Sequence, residues 1–262
     1  MRFKNQVVLV TGSARGIGYQ TAVRFAMEGA RIVVNDLDPV AVDEAVDTIR
    51  KQGGQAIAAA CDASDDTQVT RTVQDVLART DRIDVLVNNA GIYSLCAPQD
   101  LAATAWRRTI AVNLDGAFYW SQAVGGLSML PRRAGTIVNV ASGAGLAGIP
   151  SAPAYVASKH GLIGLTRALA VDWGPYNIRV NAVCPGLTWT ALARLGQSQN
   201  PAAFEERERR IPLGHAATLD DQAAAILFLA SAEANSVHGL IMNVDGGTAA
   251  MSSGYTAQTP QP

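Results

Sequence analysis

Aromatic side chains make up only 6% of this 262-residue chain, and its 21 Lys and Arg are balanced by 22 Asp and Glu. With few stacking platforms and no global positive field, nucleic acid is not expected as a partner. Cysteine is scarce too. Cys61, Cys96 and Cys184 show neither metal-ligand nor redox spacing, so the expectation is no metal site, and small buried hydrophobes in a reducing compartment. Long apolar runs are missing. Behind Arg2 and Lys4 comes only Val7 to Val10, and the stretch from Ala223 to Ala230 is far too short for a bilayer. These absences predict a cytoplasmic protein with no signal segment and no membrane partner. A composition of 48% hydrophobic and 16% charged residues also excludes a disordered tail, a disulfide-stapled miniprotein and a collagen-like fibre.

What is present is an alternation. Short β-rich runs at 6–10, 31–35, 55–60, 85–88, 136–140, 179–184 and 239–244 are separated by helical patterns at 16–28, 39–52, 65–80, 106–130, 155–173 and 220–231. Most of the short runs are continuously apolar, as parallel strands buried on both faces require. The pattern predicts one α/β domain over residues 1–248, a doubly wound parallel sheet of about seven strands with helices on both faces, Rossmann-like. Residues 249–262 read as a Ser/Thr/Gln/Pro-rich tail. Between Leu187 and His215 the alternation stops, and Trp189, Leu192 and Leu195 precede the charged run from Glu205 to Arg210. This segment follows a strand's C-terminal end, where open sheets bind ligands, so 187–215 reads as a lid over a substrate pocket.

Thr11-Gly12-Ser13-Ala14-Arg15-Gly16-Ile17-Gly18 follows the first strand and opens the first helix. Gly12 permits the tight turn, Gly16 lets backbone approach a pyrophosphate, and Gly18 lets the helix pack closely on the strand. The helix start adds free N–H donors and positive potential. Asp36 stands 18 residues beyond Gly18, at the end of the second strand. A carboxylate there can accept hydrogen bonds from both hydroxyls of an adenosine ribose, and it repels the additional phosphate of NADP. Arg15 argues the other way, since a guanidinium beside the turn can pair with that phosphate. Asp36 would sit where the phosphate goes, so NAD is preferred over NADP.

Three further motifs, Asn88-Asn89-Ala90-Gly91, Tyr155-Val156-Ala157-Ser158-Lys159 and Pro185-Gly186, follow in order. With them the chain, from about Lys4 to Gly247, resembles the short-chain dehydrogenase/reductase family. Tyr155 and Lys159 are four residues apart on a helix and share a face. A phenol of pKa about 10 is a poor base at neutral pH. A nearby ammonium, with the positive nicotinamide ring, would favour the phenolate and let Tyr155 act as acid or base. Lysine suits a proton relay better than arginine, and the chain has only three lysines.

The resemblance implies the remaining roles. Ser142 would hold and polarise the substrate oxygen, and Asn113 would anchor a water beside the lysine. Asn89, Ala90 and Gly91 would wall the adenosine ribose, and Asp62 with Ala63 would meet adenine. Pro185, Gly186, Thr188 and Thr190 would position nicotinamide. His160, His215 and His238 read as structural. By placement, Ile92, Tyr93, Leu95, Ala144, Leu146, Trp189, Leu192 and Leu195 are pocket candidates. They are mostly apolar, which predicts a largely hydrophobic or cyclic secondary alcohol or ketone. Family analogy adds a homotetramer with the helices at 106–130 and 155–173 between subunits. Two alternatives stay open: an NADPH-dependent 3-oxoacyl reductase of fatty-acid synthesis, which Arg15 and the pair Arg132-Arg133 favour, and a catalytically idle nucleotide sensor or scaffold.

Overall fold

The computed structural model describes residues 1–251 and, for Leu192, Leu195 and Gln199, the backbone alone; most of the tail read at 249–262 lies outside the described residues. The strands are β1 (Val7–Val10), β2 (Arg31–Val34), β3 (Gln55–Ala58), β4 (Val85–Asn88), β5 (Gly135–Val140), β6 (Ile178–Pro185) and β7 (Ile241–Val244). They form one sheet in the order β3-β2-β1-β4-β5-β6-β7, every neighbouring pair parallel. Alternate side chains serve two cores. Val8 and Val10 join Phe25, Ile49 and Ile226 on one face, while Val7 and Leu9 join Val69, Trp120 and Leu169 on the other. That is why β1 reads VVLV without a polar position.

The first face is covered by α1 (Gly16–Met27), α2 (Pro39–Lys51) and α10 (Leu219–Ala230), and the second by α3 (Asp66–Thr80), α5 (Gly116–Val124) and α7 (Pro153–Trp173). Local chemistry sets the ends. Asp38 caps α2 ahead of Pro39, and Thr218 with Asp221 forms a capping box on α10. At the other end of α10, the Arg179 guanidinium donates to the carbonyls of Leu229, Ala230 and Ser231 at 2.7–3.2 Å. Arg179→Met is expected to destabilise the protein by about 2–4 kcal/mol, because it orphans carbonyls at a helix C-terminus. Urea denaturation checks this.

Two places differ from the sequence pattern. The helix expected at 106–130 is a longer run of α4 (Ala103–Ile110), α5 and α6 (Leu130–Arg132), joined by π turns at Ala111–Asp115 and Gly125–Met129. Asn113 sits in the first, where its amide pairs with the Ile92 backbone in both directions, accepting from N–H at 2.8 Å and donating to C=O at 3.0 Å. That side chain-to-backbone pairing competes with regular α geometry. The segment at 187–215 forms α8 (Ala191–Gln199) and α9 (Pro201–Arg209) around a small core of Leu187, Phe204, Ile211 and Ala216. Among the described residues no helix is long and apolar enough to cross a membrane.

Candidate active site

The sheet changes direction between β1 and β4, and a cleft of about 670 Å³ opens at the C-terminal ends of the strands there. At its floor the turn after β1 approaches α1. Gly16 has φ +62° and only open space where a Cβ would go, whereas a Cβ on Gly18 would run into the Gly12 carbonyl and the Asn89 amide. No side chain caps α1, so its first N–H groups face the cleft available to an anion. Gly12, Arg15, Gly16 and Ile17 line this floor, with Gly18 packed beneath. The Asn89 side chain ties the turn down, donating to Thr11 and Gly12 carbonyls at 2.9 Å. Thr11 accepts in turn from Asn89 and Ala90 N–H. An open glycine cradle at an uncapped helix start fits a dinucleotide diphosphate.

Beside the cradle, Asp36 accepts from Ala14 N–H at 3.2 Å and Leu37 N–H at 2.8 Å, at the rim of the cleft. Asp62 and Ala63 line the next stretch. Burial pushes the Asp62 carboxyl up, but hydrogen bonds from Ser64 and the Arg108 guanidinium (3.1 Å) outweigh it and hold the group below its ordinary value. Arg108 gave no signal in the sequence; α4 brings it over Asp62 and into the cleft wall.

Tyr155 and Lys159 rise from the first turns of α7. The Lys159 ammonium lies 5.7 Å from the centre of the Tyr155 ring and donates to the Val140 carbonyl at 2.8 Å. Burial lowers its pKa to about 8. Tyr155 shares the cleft with Ser142, which stands just beyond β5 and accepts from Ala144 N–H at 3.1 Å. Burial raises the phenol, and the neighbouring Ser142 hydroxyl only partly offsets this. In the protein alone desolvation dominates both groups, and the expected lowering of the phenol rests also on the charge of the nicotinamide ring. Asn113 is buried behind them. A Cβ on Gly91 would come within 3.4 Å of Asn113 Oδ1 and 3.6 Å of Lys159 Nζ, so both side chains flank that glycine.

Ser158, which sequence reasoning passed over, completes the cluster. Its hydroxyl donates to the Tyr155 carbonyl at 2.7 Å and accepts from Asn113 at 3.1 Å, linking the π turn to α7. Its signal was only a polar residue three positions after Tyr155.

Opposite, Pro185, Gly186, Thr188 and Thr190 line the cleft after β6. Thr188 is fixed by Gln222, and Thr190 caps α8. Tyr93 meets Tyr155 edge to face, with ring centres 4.9 Å apart. Of the other pocket candidates Ile92 lines the cleft, while Leu95, Ala144, Leu146 and Trp189 do not; Trp189 packs on Phe204 instead. The side chains of Leu192 and Leu195 lie outside the described residues. The three histidines hold backbone, His238 most firmly, between Val180 N–H and the Ala170 carbonyl.

Residues 12–249 match a family model described as enoyl-(acyl carrier protein) reductase. Cyclopentanol dehydrogenase of a Comamonas species is 40% identical over 251 residues, 94% of this chain and 98% of that protein. The 3-oxoacyl-(acyl-carrier-protein) reductase of Thermotoga maritima is 38% identical over 247 residues, 94% and 99% of the two chains. Among solved structures, an NAD+-bound xylitol dehydrogenase superposes with a TM-score of 0.90 at 31% identity, covering 94% of this chain and all of its own. Matches of this extent and identity, on a cleft carrying the serine, tyrosine and lysine together, place the chain in the short-chain dehydrogenase/reductase family of NAD(P)-dependent oxidoreductases.

Proposed function

We propose that the protein oxidises a secondary alcohol to a ketone with NAD. The observation that carries this reading is that Ser142 and Tyr155 line one glycine-cradled cleft, with the Lys159 ammonium 5.7 Å from the centre of the tyrosine ring. Ser142 and Tyr155 hold the carbinol oxygen, and Tyr155 takes its proton. Lys159, Asn113 and the Val140 carbonyl form the relay side of the cluster. NAD, when bound, supplies the hydride acceptor. Gly12, Gly16 and the start of α1 would hold its diphosphate, Asp36 the adenosine ribose, Asp62 and Ala63 the adenine, and Pro185 to Thr190 the nicotinamide end. Initial rates on a diverse secondary-alcohol panel, with NAD and NADP side by side, test the reading. Silence across the panel in a protein that still binds NAD would favour the sensor instead.

Asp36 underlies the preference for NAD. Asp36→Ala is expected to lower the NAD-to-NADP ratio of kcat/KM about 10–100-fold by removing like-charge repulsion in a partly desolvated site. A ratio unchanged from wild type would take the preference away from this carboxylate. The rival 3-oxoacyl reductase keeps one relative in its favour. Its basic pair, however, is engaged within the chain: Arg132 with Asp84, and Arg133 with the Pro175 carbonyl and the Tyr176 ring.

Residues α8 to α9 would close over substrate as a lid. A homotetramer belongs to this reading by family analogy; light scattering showing only monomer would remove it. Three free thiols fit a reducing cytoplasm.

A further inference from the structure

The two ends of the cleft differ in charge. Arg15, Asp36, Asp62 and Arg108 line the end at the glycine turn. Beyond Tyr155 the walls are Ile92, Tyr93, Ile149, Ala193 and Phe204, with one exception. Arg207, on α9, is the charged side chain at that end among the described residues, apart from the buried Lys159.

Its placement is supported from both sides. Phe204 stacks on Trp189 with ring centres 6.1 Å apart, which seats α9 against the cleft, and the Arg207 guanidinium stands 5.2 Å from the Phe204 ring centre. Neighbouring acids on the helix are directed elsewhere. Glu206 pairs with Arg209 at 2.6 Å, and Glu208 accepts from the Trp189 indole at 3.3 Å. No carboxylate among the described residues lies within ion-pair distance of Arg207. Its field reaches both phenols, pulling Tyr93 and Tyr155 towards ionisation against the larger effect of burial. A guanidinium over an aromatic ring, unpaired and facing a largely apolar cavity, is arranged to take a planar anion in two parallel hydrogen bonds.

We propose that the substrate is amphipathic: a secondary alcohol with an apolar body and a carboxylate, the carboxylate held by Arg207 while the carbinol meets Ser142 and Tyr155. This rests on the oxidation reading and goes beyond it, since the expected pocket residues were apolar. In the sequence Arg207 is one of six consecutive charged residues, Glu205 to Arg210, within the segment read as a lid; the packing of Phe204 sets it at the cleft.

The test is calorimetric titration of the NADH-saturated protein with a series of ω-phenylalkanoates of three to six carbons and their neutral amides. At least one acid is expected to bind the wild type about 10–100-fold tighter than its amide. R207Q should lose that difference, and R207K should keep part of it. Arg207 is exposed, so these variants should melt with the wild type. Equal binding of acids and amides, no binding of either, or an acid preference that survives in R207Q would overturn the proposal. Rates on secondary hydroxy acids separate the two readings. An Arg207-dependent acid preference without turnover would sink the oxidation reading and leave the anion site standing. Turnover of neutral alcohols with no acid preference would do the reverse.

Discussion

Tyr155→Phe is expected to reduce turnover by about 10²–10⁴-fold while nucleotide affinity changes little. The substitution removes one oxygen and keeps the ring. The edge-to-face contact with Tyr93 and the seat of α7 therefore survive, and the protein should fold as before. What is lost is the phenol oxygen that, in the proposed function, would exchange the carbinol proton. In the proposed reading the diphosphate and adenosine ribose rest on Gly12 to Gly18 and Asp36, which line the same cleft but are held by the backbone rather than by that hydroxyl. Steady-state kcat and fluorescence titration with NADH measure the two halves. A phenylalanine variant with wild-type kcat would remove Tyr155 from the chemistry, and one that lost nucleotide binding would show the hydroxyl to be a cofactor ligand instead.

Lys159→Met is expected to abolish useful turnover and yet to stabilise the folded protein at neutral pH. Among the described residues the buried ammonium has no carboxylate partner, and its one hydrogen bond is to the Val140 carbonyl. Its pKa is lowered from 10.5 to about 8 by desolvation. Below pH 8 folded and unfolded chains both carry the proton, and the folded state bears the cost of a buried cation. Between pH 8 and 10.5 the unfolded chain holds the proton and the folded one does not, so wild-type stability rises with pH across this window. The shift corresponds to about 3 kcal/mol, from which the lost bond to Val140 takes about 1 kcal/mol. The methionine variant should thus be more stable by about 2 kcal/mol below pH 8, an advantage that disappears by the upper end of the window. Urea denaturation at pH 7 and pH 10 measures it, and equal stability at pH 7 would contradict the account. A destabilising group kept at the reacting end of the cleft is the trade expected of a functional site.

The order of strands and helices was legible because the strands are short and predominantly apolar and alternate with longer helical stretches, a pattern generated locally by β1 and α1 as much as by β6 and α10. The glycine turn, Asp36 and the Tyr155/Lys159 pair were legible for the same reason: each works through neighbours within four residues, or lies at a strand end that the alternation had already located. Pocket prediction fared differently. Leu95, Ala144 and Trp189 follow the right strands, but loop packing sends them away from the cleft.

By itself the sequence determined the doubly wound sheet, which follows from periodicity, while the roles expected of residues such as Ser142 and Asn113 came from the family resemblance. Only the tertiary structure decided how distant segments share one environment. It sets Asn113 and Lys159 beside Gly91, closes Ser158 onto the π turn, and lays Arg108 over Asp62. It also shifts the titration of Lys159 and turns Arg207 from a run of charges into the cleft. Burial and Coulomb energy depend on what surrounds a group in space, and no window of sequence contains that information.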